Sequence, residues 1–352
     1  MKLTDFHKKL KERILVIDGA MGTEIQSKKL SESDFRGELF KKYNKDLKGN
    51  NDLLNLTQPE VIKEIHKSFL DKGCDFIQTN TFNSSSISQK DYDLQEKAYD
   101  LNLTGAKIAK EAISEANSNA WVIGSIGPTN TTASISPDVT DPAKRNILFD
   151  ELVISYRECI DGLLEGGVDF LMFETIFDTL NAKAGIFAYL DKCEEVGKEI
   201  PLMISGTITD NSGRTLSGQT AEAFWTSVKH ANPCSIGFNC ALGAEQLRPH
   251  LISLNKISDI PISLHPNAGL PNEMGEYDET PTHMANIIKE MAESSLLNIV
   301  GGCCGTTPDH IEAISYAIKG IKPKELSVSK PQRSFSGLEP LVLTDDSLFI
   351  NI

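Results

Sequence analysis

No apolar stretch in these 352 residues approaches the length of a membrane span, and the first ten residues, Met1 to Leu10, are charged and lack the apolar core of a secretory signal. Basic residues form no stripe, and the formal net charge of -14 argues against nucleic acid or an anionic membrane surface as partner. No cysteine spacing suggests a disulfide framework. The seven cysteines are odd in number and scattered, which points to a reduced, cytoplasmic compartment. A G-x-G-x-x-G fingerprint is also missing from the first glycine turn, Gly19 to Gly22, which removes the best support for an open dinucleotide-binding sheet. What is present is ordinary for a soluble globular chain: 40% hydrophobic and 24% charged residues, in a length that suits two average domains or one α/β barrel.

A short apolar run that ends in a polar or glycine turn and is followed by a helical pattern occurs eight times. The runs are 14–17, 75–79, 121–126, 169–173, 201–205, 235–239, 261–264 and 296–300. Strict strand–helix alternation with right-handed crossovers predicts a parallel sheet, and eight such units predict a closed (β/α)8 TIM barrel over residues 1–320. The polar segment 27–55 is long enough to be a lid or an elaborated loop. Thr57-Gln58-Pro59-Glu60 reads as a capping box, and Thr307-Pro308 as an N-cap with proline in the first turn. Beyond Gly320 no periodic pattern remains, so 321–352 reads as an extended C-terminal tail or linker running over the barrel.

In such a barrel the residues just past each strand gather on one face and build the active site. Cys240, Cys303 and Cys304 all fall there, on the sixth and eighth strands. Three thiolates with an open fourth position suit a substrate-binding Zn2+ site; the competing reading is unrelated buried thiols. His265, on the same face, is a candidate fourth ligand or a satisfied hydrogen-bonding residue. Asp18 and Glu174 bring two carboxylates to this face, for acid–base work, for gripping an ammonium group, or simply for capping a helix or pairing with an arginine. Successive amides of the Gly19-Ala20-Met21-Gly22 turn are placed to cradle an anion such as a carboxylate. A carboxylate cradle, two acids and an open metal position together describe a site for an amino acid that bears a thiol.

Seven ordered motifs carry a family resemblance: Asp18-Gly-Ala-Met-Gly-Thr23, Gln78-Thr-Asn-Thr-Phe82, Gly124-Ser-Ile-Gly-Pro128, Phe173-Glu-Thr175, Gly237-Phe-Asn-Cys240, Pro266-Asn-Ala-Gly269 and Gly301-Gly-Cys-Cys-Gly-Thr306. Together they resemble the homocysteine S-methyltransferase family over about residues 10–320. Within it, Asp34-Phe-Arg36, Leu47-Lys-Gly-Asn-Asn-Asp52 and Leu56-Thr-Gln-Pro-Glu60 are most similar to the N-terminal homocysteine-binding module of cobalamin-dependent methionine synthase. In the tail, Ser336-Gly-Leu-Glu-Pro340 and Phe349-Ile-Asn-Ile352 resemble the segment that leads into that enzyme's folate-binding barrel.

The resemblance implies zinc on Cys240, Cys303 and Cys304, with the homocysteine sulfur in the fourth position. It also implies that Asp18 and Glu174 bind the ammonium group and that the Gly19-Ala20-Met21 turn binds the carboxylate. Asn267 is implied to reach the metal when substrate is absent. The implied donor is methylcobalamin, held by cobalamin- and folate-binding domains outside this chain, which is then a fragment or a separate subunit. Two alternatives stand beside it: a methyltransferase using a small donor such as betaine or S-methylmethionine, and a non-catalytic zinc-binding docking barrel.

Overall fold

The apolar runs become strands that are buried except for a few partly buried residues near their C-terminal ends, as expected of a parallel sheet covered on both faces. In the computed structural model, which describes residues 3–209, 212–326 and 333–350, they are β1 (Leu15–Val16), β2 (Phe76–Gln78), β3 (Trp121–Ile126), β4 (Phe170–Ile176), β5 (Leu202–Gly206), β6 (Ser235–Gly243), β7 (Ile262–Asn267) and β8 (Ile299–Val300). All neighbours are parallel in the order β1-β8-β7-β6-β5-β4-β3-β2, and an isolated parallel bridge between Ile17 and Phe76 joins the two ends. Each strand is followed by a helix that packs outside it, so the expected (β/α)8 barrel is the fold found. Among the described residues no helix is long and apolar enough to cross a membrane.

Alternation along each strand splits the apolar residues into two layers. One set packs between sheet and helices; the other, including Leu15, Ile17, Phe76, Trp121, Ile123, Phe170, Met172, Met203 and Ile299, fills the barrel interior. The N-terminal helix Leu3–Glu12 closes the lower end by inserting Phe6, which makes edge contacts with Phe76, Trp121 and Phe170 at centroid distances of 5.2–6.2 Å. Side chains reinforce the weak β1–β2 seam. Asp75 accepts the Val16 N–H at 3.0 Å and is held in turn by Arg13, one of whose bonds measures 2.6 Å.

The 27–55 segment is an elaborated loop anchored in the core. It contains the helix Glu32–Arg36; Glu32 accepts the amides of Leu47 and Lys48, Arg36 pairs with Glu32, and Leu47 and Leu53 are fully buried. Thr57 forms no capping box. It ends the short helix Leu54–Thr57 and donates to Leu53 O, leaving Gln58 as the N-cap of Pro59–Leu70 without a side-chain cap. At the other predicted cap, Thr307 does precede a helix with proline in its first turn, and the His310 ring accepts the Thr307 N–H at 3.2 Å.

Sequence periodicity offered no element after Gly320, yet Ser334–Ser336 and Pro340–Val342 pair as an antiparallel hairpin, β9 and β10. It docks on the helix Ala221–Val228 through Ser336 to Ala223 O (2.7 Å) and Thr220 N to Leu338 O (3.0 Å). Residues 327–332 of the tail, and Asn351 and Ile352 of the Phe349–Ile352 motif, lie outside the described residues.

The seam makes a prediction. Asp75→Ala leaves the buried Val16 N–H without its acceptor and half-exposed Arg13 without its partner, so unfolding free energy should fall by about 1–3 kcal/mol in urea titrations.

Candidate functional site

At the upper mouth of the barrel the strands end in a cavity of about 740 Å3. Its wall includes Asp18, Gly19, Ala20, Met21, Glu174, Cys240, Cys303 and Cys304, so eight of the nine residues singled out for binding face one space. Asn267 is not part of this wall; it lies at the end of β7 and is buried.

Two irregularities in the ladder put the key side chains there. Between β4 and β5 the register moves from Phe173↔Ile204 to Ile176↔Gly206, an extra residue that places Glu174 and Thr175 in a bulge, with Thr175 at φ 53°. Between β6 and β7 it moves from Asn239↔His265 to Gly243↔Asn267, leaving Cys240 and Ala241 unpaired at φ 63° and 59°. Bulges re-aim side chains next to sites, and left-handed conformations at non-glycine residues store strain there. Cys303 and Cys304 follow β8 in a turn fastened by Cys303 N to Pro266 O (2.8 Å), Gly302 N to Asp18 O (3.2 Å) and Ala268 N to Cys304 O (2.9 Å). At Gly302 any side chain would collide with Thr306, which itself donates to Cys303 O at 2.6 Å.

The three sulfur atoms lie within 4.8 Å of one another, with Cys240 Sγ 3.7 Å from Cys304 Sγ. Sulfurs bound tetrahedrally at the usual zinc–sulfur length stand about 3.8 Å apart, so the spacing suits such an ion. Cys304 is the sulfur that takes charge most readily, drawn well down by hydrogen bonds from Cys240 and then Cys303, while Cys303 is pushed up by bonding to the same two neighbours. Asn267 Oδ1 and His265 Nε2 are buried without a hydrogen-bond partner among the described residues. His265 is therefore not the satisfied residue its sequence context suggested, but it stands outside the sulfur group.

Both acids are buried, and both hold their protons well above the carboxylate range. Burial pushes Asp18 up to about 8, against the bonds it accepts from Gln78 N (2.9 Å) and Nε2 (3.1 Å). Glu174 is pushed up to about 7, again chiefly by burial, while accepting Ser125 Oγ (2.5 Å) and Asn239 Nδ2 (3.2 Å). Among the described residues neither acid caps a helix or pairs with an arginine. A third wall residue, Asp52, is raised to about 7 by burial and accepts Asn83 N and Ser84 Oγ. No lysine or arginine is among the described residues that line the cavity. Three cysteine sulfurs and three buried acids thus share one wall without a lysine or arginine among its described residues, a lining that favours incoming cations such as a metal ion or an organic ammonium group.

Of the anion-cradling turn, Ala20 N–H is already turned to Thr306 Oγ1 at 3.1 Å. Sequence reasoning placed Asn239 on this face, just past its strand, without giving it a role, and it missed Ser125 and Gln78 as parts of the site, although each stands inside a quoted motif. Asn239 is the link between its halves: it donates to Glu174 and Thr175 and lies 4.0 Å from Cys303 Sγ, while its oxygen accepts Ser205 Oγ and Thr175 N. Tyr277, from the loop after β7, was missed as well.

The chain superposes on an Escherichia coli homocysteine methyltransferase, MmuM, in its oxidised form with a TM-score of 0.67 at 19% identity, covering 86% of this chain and 95% of that one. For the metallated form the TM-score is 0.64 at 21% identity, covering 89% and 98%. These likenesses establish a common fold. A model of the family described as homocysteine S-methyltransferase matches residues 15–318, most of the chain, and this protein therefore belongs to the homocysteine S-methyltransferase family.

Proposed function

We propose that this chain is a zinc-dependent methyltransferase that moves a methyl group onto the sulfur of homocysteine, giving methionine, and that it acts as the homocysteine-activating part of a methionine synthase. One observation carries the reading: three sulfurs spaced for a metal and two buried, cation-less carboxylates open onto the same cavity. Cys240, Cys303 and Cys304 would hold zinc, and Asn267, whose buried Oδ1 has no partner among the described residues, is a further candidate ligand. A zinc ion there supplies the Lewis acidity that keeps a thiol in its nucleophilic thiolate form at neutral pH.

The chain's own residues do the rest. Asp18 and Glu174 take the substrate ammonium, and its positive charge lets both acids give up the protons that burial makes them keep. Asn239 holds Glu174 in place, and the Gly19 and Met21 amides of the Gly19-Ala20-Met21 turn receive the carboxylate, the Ala20 amide being held by Thr306. Overall the substrate sulfur loses its proton and gains the methyl group that breaks from the donor. A cavity of about 740 Å3 leaves room above one amino acid for that donor.

The donor assignment, methylcobalamin presented by cobalamin- and folate-binding domains, rests on the sequence resemblance of 34–60 and of the tail beyond Gly320. A second reading, a small cationic donor, draws support from the acidic lining without lysine or arginine. Methionine formation measured separately with methylcobalamin, betaine and S-methylmethionine decides between them.

Three further outcomes test the site. Cys303→Ala, like the corresponding Cys240 and Cys304 variants, should lose zinc on dialysis and lose methyl transfer; full zinc content and activity would refute the ligand set. Glu174→Gln should keep its zinc while homocysteine affinity, read by calorimetry, falls about tenfold to a hundredfold, the worth of one charge-assisted hydrogen bond. The pH dependence has a definite sign. An acid whose folded pKa is raised holds its proton on folding, so metal-free, ligand-free wild type should lose stability as pH rises from about 4 through about 8 at Asp18. Asp18→Asn removes that titration, so its melting temperature should gain on wild type across this range; parallel curves would show that Asp18 stays charged.

A further inference from the structure

The strands that carry Glu174 and Cys240 are not neighbours. β5 lies between β4 and β6, so the sheet ladder joins the two bulges only through that common strand. One side chain bridges them directly. Asn239 is 1% exposed, immediately precedes Cys240, and reaches past β5 to the end of β4.

Every hydrogen-bonding position of its amide is used. Nδ2 donates to Thr175 Oγ1 at 2.7 Å and to Glu174 Oε2 at 3.2 Å, while Oδ1 accepts Thr175 N at 2.9 Å and Ser205 Oγ at 2.6 Å. A side-chain amide offers two N–H donors and two acceptor lone pairs, so this one is saturated. Its orientation is fixed as well, because the main-chain N–H of Thr175 can only donate and must face the oxygen. Two of the four bonds clamp Thr175, the residue at φ 53° in the β4 bulge, and a third holds the carboxylate beside it.

Glu174 is thereby gripped on both oxygens. Ser125 Oγ donates to Oε1 and Asn239 Nδ2 to Oε2, which sets the plane of the carboxylate as well as its place. The same nitrogen stands 4.0 Å from Cys303 Sγ, so the acid and the sulfur group meet at this one residue.

We infer that Asn239 is a positioning residue that sets the span between the ammonium-binding acid and the sulfur centre, and with it the length of amino-acid thiol that the site accepts. This role rests on the proposed parts played by Glu174 and by the three cysteines. Two fixed points select a ligand by the number of atoms between its own two ends. Homocysteine carries one methylene more than cysteine between ammonium and sulfur, so a rigid span that fits the first leaves the second short of one partner. A brace that served only the fold would support all thiol ligands alike.

The test measures binding of three thiols to the zinc-loaded full chain by calorimetry. They are homocysteine, cysteine and 4-mercaptobutyrate, which has the length of homocysteine without its amino group. Wild type is compared with Asn239→Ala and with Asn239→Asp, an isostere that can still accept from Thr175 N and Ser205 Oγ but, when ionised, has no donor for Glu174. Zinc content and melting temperature control for metal and fold, and if Asn239→Ala does not fold, Asn239→Asp decides alone. Wild type should bind homocysteine about tenfold to a hundredfold more tightly than either competitor, the worth of one charge-assisted hydrogen bond. In the folded, zinc-replete variants that preference should shrink by about tenfold through lost homocysteine affinity, with 4-mercaptobutyrate nearly unchanged. Variants that keep the wild-type preference or weaken all three thiols equally, or a wild type that binds cysteine as tightly as homocysteine, overturn the positioning role and leave the reading of the site intact. A wild type that binds homocysteine no better than 4-mercaptobutyrate, or equally well without zinc, overturns that reading and this role with it.

Discussion

Closing eight parallel strands into a ring depends here on two carboxylates. β1 and β2 share a single bridge, Ile17 to Phe76, where other neighbouring strands share a longer ladder. Asp75 fastens the lower end of that seam through Val16 N and Arg13, and Asp18 fastens the upper end through the main-chain and side-chain nitrogens of Gln78. Asp18 is therefore a clasp in the barrel wall as well as an acid at the mouth. Its carbonyl also receives Gly302 N, so the turn that presents Cys303 and Cys304 hangs from the same point. Burial that raises the cost of its charge is the direct result of using it as a structural fastener.

The opposite side of the mouth is shaped by irregularity. Glu174 and Cys240 both sit where a strand carries more residues than its neighbour, and each bulge includes a side chain in left-handed backbone, at Thr175 and at Cys240 itself. A regular ladder would continue the pleat and turn alternate residues toward the helices. The bulges break that alternation, and Asn239 braces both by bonding to Thr175, Glu174 and Ser205. The local strain is sustained by a hydrogen-bonded frame that spans three strands.

Much of this was legible in the chain because parallel strands buried on both faces write themselves as apolar runs, each ending at the mouth. That rule alone collected Asp18, Glu174, Cys240, Cys303 and Cys304. It does not register bulges, since an extra residue leaves no mark on an apolar run, and so Asn239 could be placed on the face but not seen as the brace between two bulged strands. Tyr277 was hidden for another reason: it comes from an exposed loop that follows its strand by ten residues, and only the three-dimensional fit against Gly305 brings it into the cavity wall. The Thr57 capping box failed because that residue is taken up by the short helix Leu54–Thr57, and the β9–β10 hairpin escaped because its strands are three residues long and lie on the surface.

Among the described residues, Phe6 and the aromatic cluster around it fill the lower end of the barrel and leave it one door. In the proposed reaction the amino acid sits deeper, against Asp18 and Glu174, and the methyl donor comes in over it. Traffic through a single entrance then imposes an order: homocysteine boards first and methionine disembarks last, after the spent donor has cleared the doorway. A donor that arrives early blocks the seat beneath it, so the plug at the bottom of the barrel, far from any reacting atom, sets the queue at the top.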